Sequence, residues 1–127
     1  MKEELKRPSP ELVRDYVSKF NQNSDLIVTE MVLSELFGKY SSNQNLRDIL
    51  IKVTALNSLY NTNIYATIKV AEHILNKNID VKLQQGLPEV VDEIAEIEID
   101  GKIRRNFSFA SKYCHWHQPE MYPIYDS

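Results

Sequence analysis

The chain has few of the residues that sharp turns, disulfides and membrane spans require. It carries one cysteine, three glycines and five prolines in 127 residues. A lone cysteine excludes an intrachain disulfide and points to a reducing compartment. Three glycines leave few tight turns, which disfavours a many-stranded sheet and favours helices. No run approaches the roughly 18 apolar residues of a membrane-spanning helix. The first seven residues, Met-Lys-Glu-Glu-Leu-Lys-Arg, lack the apolar core of a secretory signal. The expectation is a cytoplasmic protein with no membrane partner. An excess of basic charge is missing too: the net charge is −3. That excludes a chain-wide electrostatic attraction to nucleic acid.

What is present is helical patterning. Hydrophobic residues make up 43% of the chain, enough for one real core. The reading is a single all-α domain over residues 1–127, with residues 1–8 disordered, built as an orthogonal bundle of about six helices. Ser9-Pro10-Glu11 opens the first helix, with Leu12, Tyr16 and Phe20 on one face to about Asn21. Asn21-Gln22-Asn23-Ser24 reads as a linker, and a second helix follows to about Tyr40 through Val28, Met31, Val32 and Leu36. The third, about Asn45 to Tyr60, spaces Leu46, Ile49, Leu50, Val53, Leu56 and Tyr60 at three and four residues. A fourth runs from Ile64 to about Asn76 and holds His73, a lone imidazole expected to be hydrogen-bonded and partly exposed. Asp80 caps a short turn ending at Gly86, and Pro88-Glu89 opens the fifth helix.

Two patterns compete at residues 96–105. The alternation Glu-Ile-Glu-Ile followed by Asp100-Gly101 is a hairpin signal. The longer helical patterns on either side favour a helix end and a turn, with a sixth helix from about Ile103 to His117. On that helix Phe107, Ala110 and Cys114 share one side, and Phe109, Tyr113 and Trp116 another. Its polar stripe is Arg105, Ser108, Lys112 and His115, flanked by Arg104 and Ser111. A helix apolar on two sides sits centrally in its bundle, so the stripe faces water, a pocket or a partner. The acidic segment 80–100 and the basic segment 102–112 either neutralise each other or leave a local basic patch.

The C-terminal stretch, residues 105–126, concentrates the candidate chemistry. Cys114, His115 and His117 suggest a metal, but zinc needs three or four ligands of the right type, and no second Cys pair or His-x3-His exists. The reading assigns neither metal nor cofactor. Cys114 lies on an apolar helix face, where burial suppresses thiolate reactivity. Asp126-Ser127 is a good N-cap pair for a helix to come; the chain stops there, so the expectation is a fragment or a shortened form.

On these residues the stretch resembles the helix-hairpin-helix DNA glycosylases, particularly their archaeal 8-oxoguanine branch. The shared pattern is a turn with glycine (Gly101), a helix opening (Arg105-Asn106), an F-A-x-K run (Phe109 to Lys112), and a proline segment ending in aspartate (Pro123 to Asp126). The resemblance covers about a quarter of the chain. It implies Asp126 as the assisting catalytic acid and Gly101, Lys102, Arg104, Arg105 and Lys112 as residues near DNA phosphate. Trp116, Phe109 and Tyr125 would line a base pocket. Arg105 stands where the family has its lysine nucleophile, and guanidinium stays protonated, so Schiff-base lyase chemistry is not expected. Ile103 replaces the second turn glycine. The function implied is duplex DNA binding, with base excision through Asp126 or none. The alternative from the residues alone is a non-enzymatic helical interaction module, docking a protein partner on its aromatic C-terminus.

Overall fold

The computed structural model of the chain describes residues 10–60, 62 and 64–124, with side chains described from residue 25 onward. Its elements are α1 (Pro10–Lys39), α2 (Leu46–Tyr60), α3 (Thr67–Lys77), α4 (Asp80–Gln84), α5 (Glu89–Ala95), β1 (Glu96–Ile99), β2 (Lys102–Arg105) and α6 (Phe107–His117). The chain divides into two compact units, residues 1–32 and 33–127. Among the described residues the first holds a single helical segment, and the second holds the rest. Among the described residues the protein is mostly helical, with six helices and one small hairpin.

The helix count meets the expectation for a different reason. The two helices predicted on either side of residues 21–24 are one continuous helix, α1. Asn, Gln and Ser cost only about half a kcal/mol each in a helix interior, and neither Gly nor Pro interrupts the segment. The sixth helix comes from α4, which the sequence showed only as a turn.

The hairpin is the second difference. Asp100 and Gly101 both adopt positive φ, 52° and 77°, the geometry of a two-residue primed turn matching the twist of its strands. β1 and β2 pair antiparallel, Ile97 opposite Arg104 and Ile99 opposite Lys102. Strand pairing therefore takes residues 102–105 away from α6, which starts at Phe107. Local turn chemistry outweighed the longer helical period on both sides.

The second unit's core is built where the helical spacing placed it. Ile49, Val53 and Leu56 of α2 are fully buried, with Val70, Ala71 and Ile74 of α3 and Val90 and Ile94 of α5. Helix α2 packs on α3 and α6, and α5 packs on α6. Phe37 meets the ring of Tyr113 edge-on at 5.4 Å between centroids. Asn57 holds the connection after α2: its Oδ1 accepts from Thr62 Oγ1 and the Ile64 N–H, and its Nδ2 donates to Ile64 O. That ties residue 64 into a loop, so α3 begins three residues later than the apolar pattern suggests. His73 is half-buried, its Nε2 2.7 Å from Glu93 O, as its position on a partly exposed face implied.

Gly86 ends α4 as expected, with φ +69°; the Leu87 N–H then reaches Lys82 O at 3.1 Å. A left-handed residue with a side chain costs about 1–2 kcal/mol. Gly86→Ala is therefore expected to lower unfolding stability by about that amount. Gly38, inside α1 with open space where a Cβ would stand, is expected to respond oppositely, Gly38→Ala stabilising by up to about 1 kcal/mol. Urea denaturation of both variants checks the pair, and a shift of the same sign in both would contradict the assignment.

Candidate functional site

The most unusual chemistry in the second unit is a buried ammonium. Lys52 follows Ile49 by three residues and precedes Leu56 by four, so the helix carries it into the apolar face of α2, where it is fully buried. An ammonium has three protons, and each finds an acceptor: Ser42 O at 3.1 Å, Asn43 Oδ1 at 2.9 Å and His117 Nε2 at 3.0 Å. The rings of Phe37 and Tyr113 lie 5.7 and 5.5 Å from the same nitrogen, adding cation–π attraction.

Asn43 is the junction of this network. Its Oδ1 accepts from Lys52 and from the Tyr113 hydroxyl. Its backbone N–H donates to Asp80 Oδ2 at 2.9 Å and its Nδ2 to Asp80 Oδ1 at 2.7 Å. The loop after α1, α2, the start of α4 and the end of α6 are thereby joined through one amide. Because Lys52 donates to Nε2 of His117, the ring proton of that histidine belongs on Nδ1.

The titration of the group follows from burial. Desolvation pushes Lys52 down to about 8, with Asp80 and Asp48 opposing it. Desolvation and the Lys52 charge push His117 down to about 3, so it is neutral throughout the physiological range. Burial raises Asp80, but hydrogen bonds from Asn43 and Gln44 and the nearby His117 bring it below the ordinary carboxylate value. Burial carries Tyr113 well above its ordinary value. A lysine near 8 can serve as a base or nucleophile where substrate reaches it. Here all three protons are engaged and no cleft among those described is lined by Lys52. The arrangement holds elements together.

The residues singled out from the sequence are dispersed. Gly101 is the second residue of the hairpin turn, and Lys102 and Arg104 are exposed on β2. Arg105 is exposed and paired with Glu96 at 3.1 Å and Asp92 at 3.5 Å, which is the charge neutralisation between adjacent segments made visible. Lys112 is buried on α6, donating to Ser108 Oγ at 2.7 Å beneath the Tyr60 ring. Asp126 and Tyr125 lie outside the described residues. Phe109 is a core residue, and Trp116 stands edge-on to His115. Cys114 is buried, its thiol pushed up to about 12. His115 Nδ1 lies 2.8 Å from Tyr122 O, while His117 turns to Lys52. The network around Lys52 was not anticipated; its sequence signal was a lysine set among apolar residues on one helix face.

Residues 12–121 match the family HI_0787_N, described as an N-terminal domain, and the chain belongs to it. An uncharacterized protein of Haemophilus influenzae is 37% identical over 123 residues, covering 87% of this chain and 61% of that protein. The chain thus spans about three fifths of the length of the relative it matches. No solved structure matches the chain at a significant level. These matches overturn the resemblance to helix-hairpin-helix glycosylases, because they cover most of the chain where the glycosylase pattern covered a quarter. The local reason is plain: Gly101 closes a turn between two β-strands, and Arg105 is a strand residue. Among the described residues, no helix is long and apolar enough to cross a membrane.

The buried network makes stability sensitive to acid. Unfolded His117 takes up a proton near 6.5 whereas the folded ring resists it to about 3, so the unfolded state binds more protons across that window. Stability is expected to fall by a few kcal/mol, to order of magnitude, as pH drops from 6.5 towards 3. Asp80 deepens the loss below its ordinary value, and His73, also depressed by burial, contributes in the same direction. In His117→Gln, which keeps an acceptor but no titrating ring, the acid limb flattens. Thermal melts across that pH range check this; an unchanged slope in the variant contradicts it. Lys52 adds a rise in stability between about 8 and 10.5, because there the unfolded lysine is the more protonated form.

Proposed function

We propose that this member of the HI_0787_N family is a non-enzymatic helical interaction domain, and that its contact surface is an apolar stripe on α1. The observation that carries this reading is the exposure of Ile27, Val28, Met31 and Val32, each between 43% and 64%. At 100° per residue these four side chains fall within an arc of about 140°. Helices in proteins draw most of their stability from packing an apolar face. Among the described residues the first unit offers no second element for that packing. Contiguous apolar surface of this kind marks contact sites in soluble proteins.

The described side chains give less support to chemistry or to DNA. Arg105 is paired and Lys112 is buried, so among the described residues the basic set reduces to Lys102 and Arg104, which stand opposite Ile99 and Ile97. The aromatic C-terminus serves the chain's own core through Phe109, Tyr113 and Tyr122. The contact surface therefore moves from the C-terminus to α1. Membership of a family described as an N-terminal domain, with a relative longer than this chain, fits a module that works attached to or against other protein.

Light scattering and an apolar fluorescent dye test the surface directly. The wild-type chain is expected to bind the dye and to show a mass that grows with concentration. Ile27→Glu with Met31→Glu is expected to abolish both while leaving the melting of the second unit unchanged. A wild-type chain that is monomeric at all concentrations and binds no dye would remove the reading.

A further inference from the structure

Strand β2 is exposed along its whole length and pairs on one edge only, with β1. The Asn106 N–H donates to Ala95 O at 2.9 Å, which sets the phase of the ladder. Pairs 97/104 and 99/102 are then hydrogen-bonded inward, and Ile103 and Arg105 turn their N–H and C=O groups outward. No described residue meets those outward groups. Beside this edge, Arg104 lines a cleft of about 200 Å³ with Tyr65, Asp100 and Asn106. Tyr65 is 86% exposed and Ile103 68% exposed. Arg105 has two carboxylate partners; Lys102 and Arg104 have none among the described residues.

From this we infer that the free edge of β2, with the Arg104 cleft beside it, docks an extended acidic segment of a protein partner. The added strand would take its backbone hydrogen bonds from Ile103 and Arg105. Arg104 and Lys102 would then sit in the close, non-hydrogen-bonded positions, where cross-strand charge pairs act most strongly. The segment therefore carries Asp or Glu at two alternating positions, facing Arg104 and Lys102, and an apolar residue between them over Ile103. A second copy pairing β2 to β2 would set cations against cations, and charged edges of this kind ordinarily discourage such pairing. Duplex DNA is disfavoured because this edge offers only two unpaired cations among the described residues, too few phosphate contacts for stable binding.

The test is fluorescence anisotropy of the full chain with a labelled peptide of sequence Gly-Ser-Glu-Ile-Glu-Ile-Ser-Gly. The expected result is saturable binding that weakens with salt and falls at least about fivefold in Arg104→Glu, whose side chain is exposed in the folded chain. Ile103→Pro removes an outward N–H without touching the inner ladder and is expected to cause a similar loss with the helical circular dichroism retained. If that variant unfolds, Arg104→Glu carries the test alone. The inference is overturned if the wild type shows no saturable binding, or if a Lys-Ile-Lys-Ile peptide binds equally well. It also fails if Arg104→Glu binds as the wild type does, or if duplex DNA displaces the peptide at lower concentration. The α1 double variant is expected to bind the peptide normally, which separates this site from the apolar stripe.

Discussion

The fully buried ammonium of Lys52 sets the terms for the second unit. Lys52 is carried into the core by the helical phase of α2, and its charge is tolerable there because every one of its protons meets an acceptor. Removing an ion from water without such partners costs several kcal/mol. The acceptors come from two parts of the chain: Ser42 and Asn43 in the loop after α1, and His117 at the end of α6. Asn43 passes the arrangement on to Asp80 at the start of α4. Elements that share no sequence neighbourhood are therefore held by a requirement of charge satisfaction. A well-packed apolar side chain at position 52 would impose no comparable constraint on the loop at 41–45.

The same network explains why the C-terminal helix carries little free chemistry. His117 gives its lone pair to Lys52, Tyr113 gives its hydroxyl proton to Asn43, and Cys114 is sealed in the core. The polar and aromatic groups that looked available on α6 are internal partners of one another. What stays open to solvent lies elsewhere. It is the apolar stripe of α1 in the first unit and the basic edge of β2 in the second. These are the two surfaces proposed for contact with other protein.

Much of the fold was legible because helical periodicity is a direct consequence of burying one face. The residues expected inward on α2, Ile49, Val53 and Leu56, are inward, and Gly86 ends α4 in the left-handed conformation its position required. The errors have equally specific causes. A polar tetrapeptide at 21–24 was read as a linker although nothing in it forbids helix. At 96–105 a two-residue turn with strong conformational preference outweighed a longer apolar pattern. The glycosylase resemblance rested on short motifs, and the family match across residues 12–121 replaces it.

The sequence by itself determined the helical class, the apolar faces of the helices after residue 45 and the placing of Gly86 and Gly101 at turns that need glycine. Each of these depends on local backbone preference or on the period of one helix. Only the tertiary structure decided which polar groups are spoken for. Lys52, Asn43, Asp80 and His117 are separated by as many as 74 positions, and no local rule pairs them. Lys102, Arg104, Arg105 and Lys112 look alike in the chain. Among the described residues they end as two surface cations without a carboxylate partner, one ion-paired arginine and one buried lysine, because strand pairing and helix packing turn them in different directions.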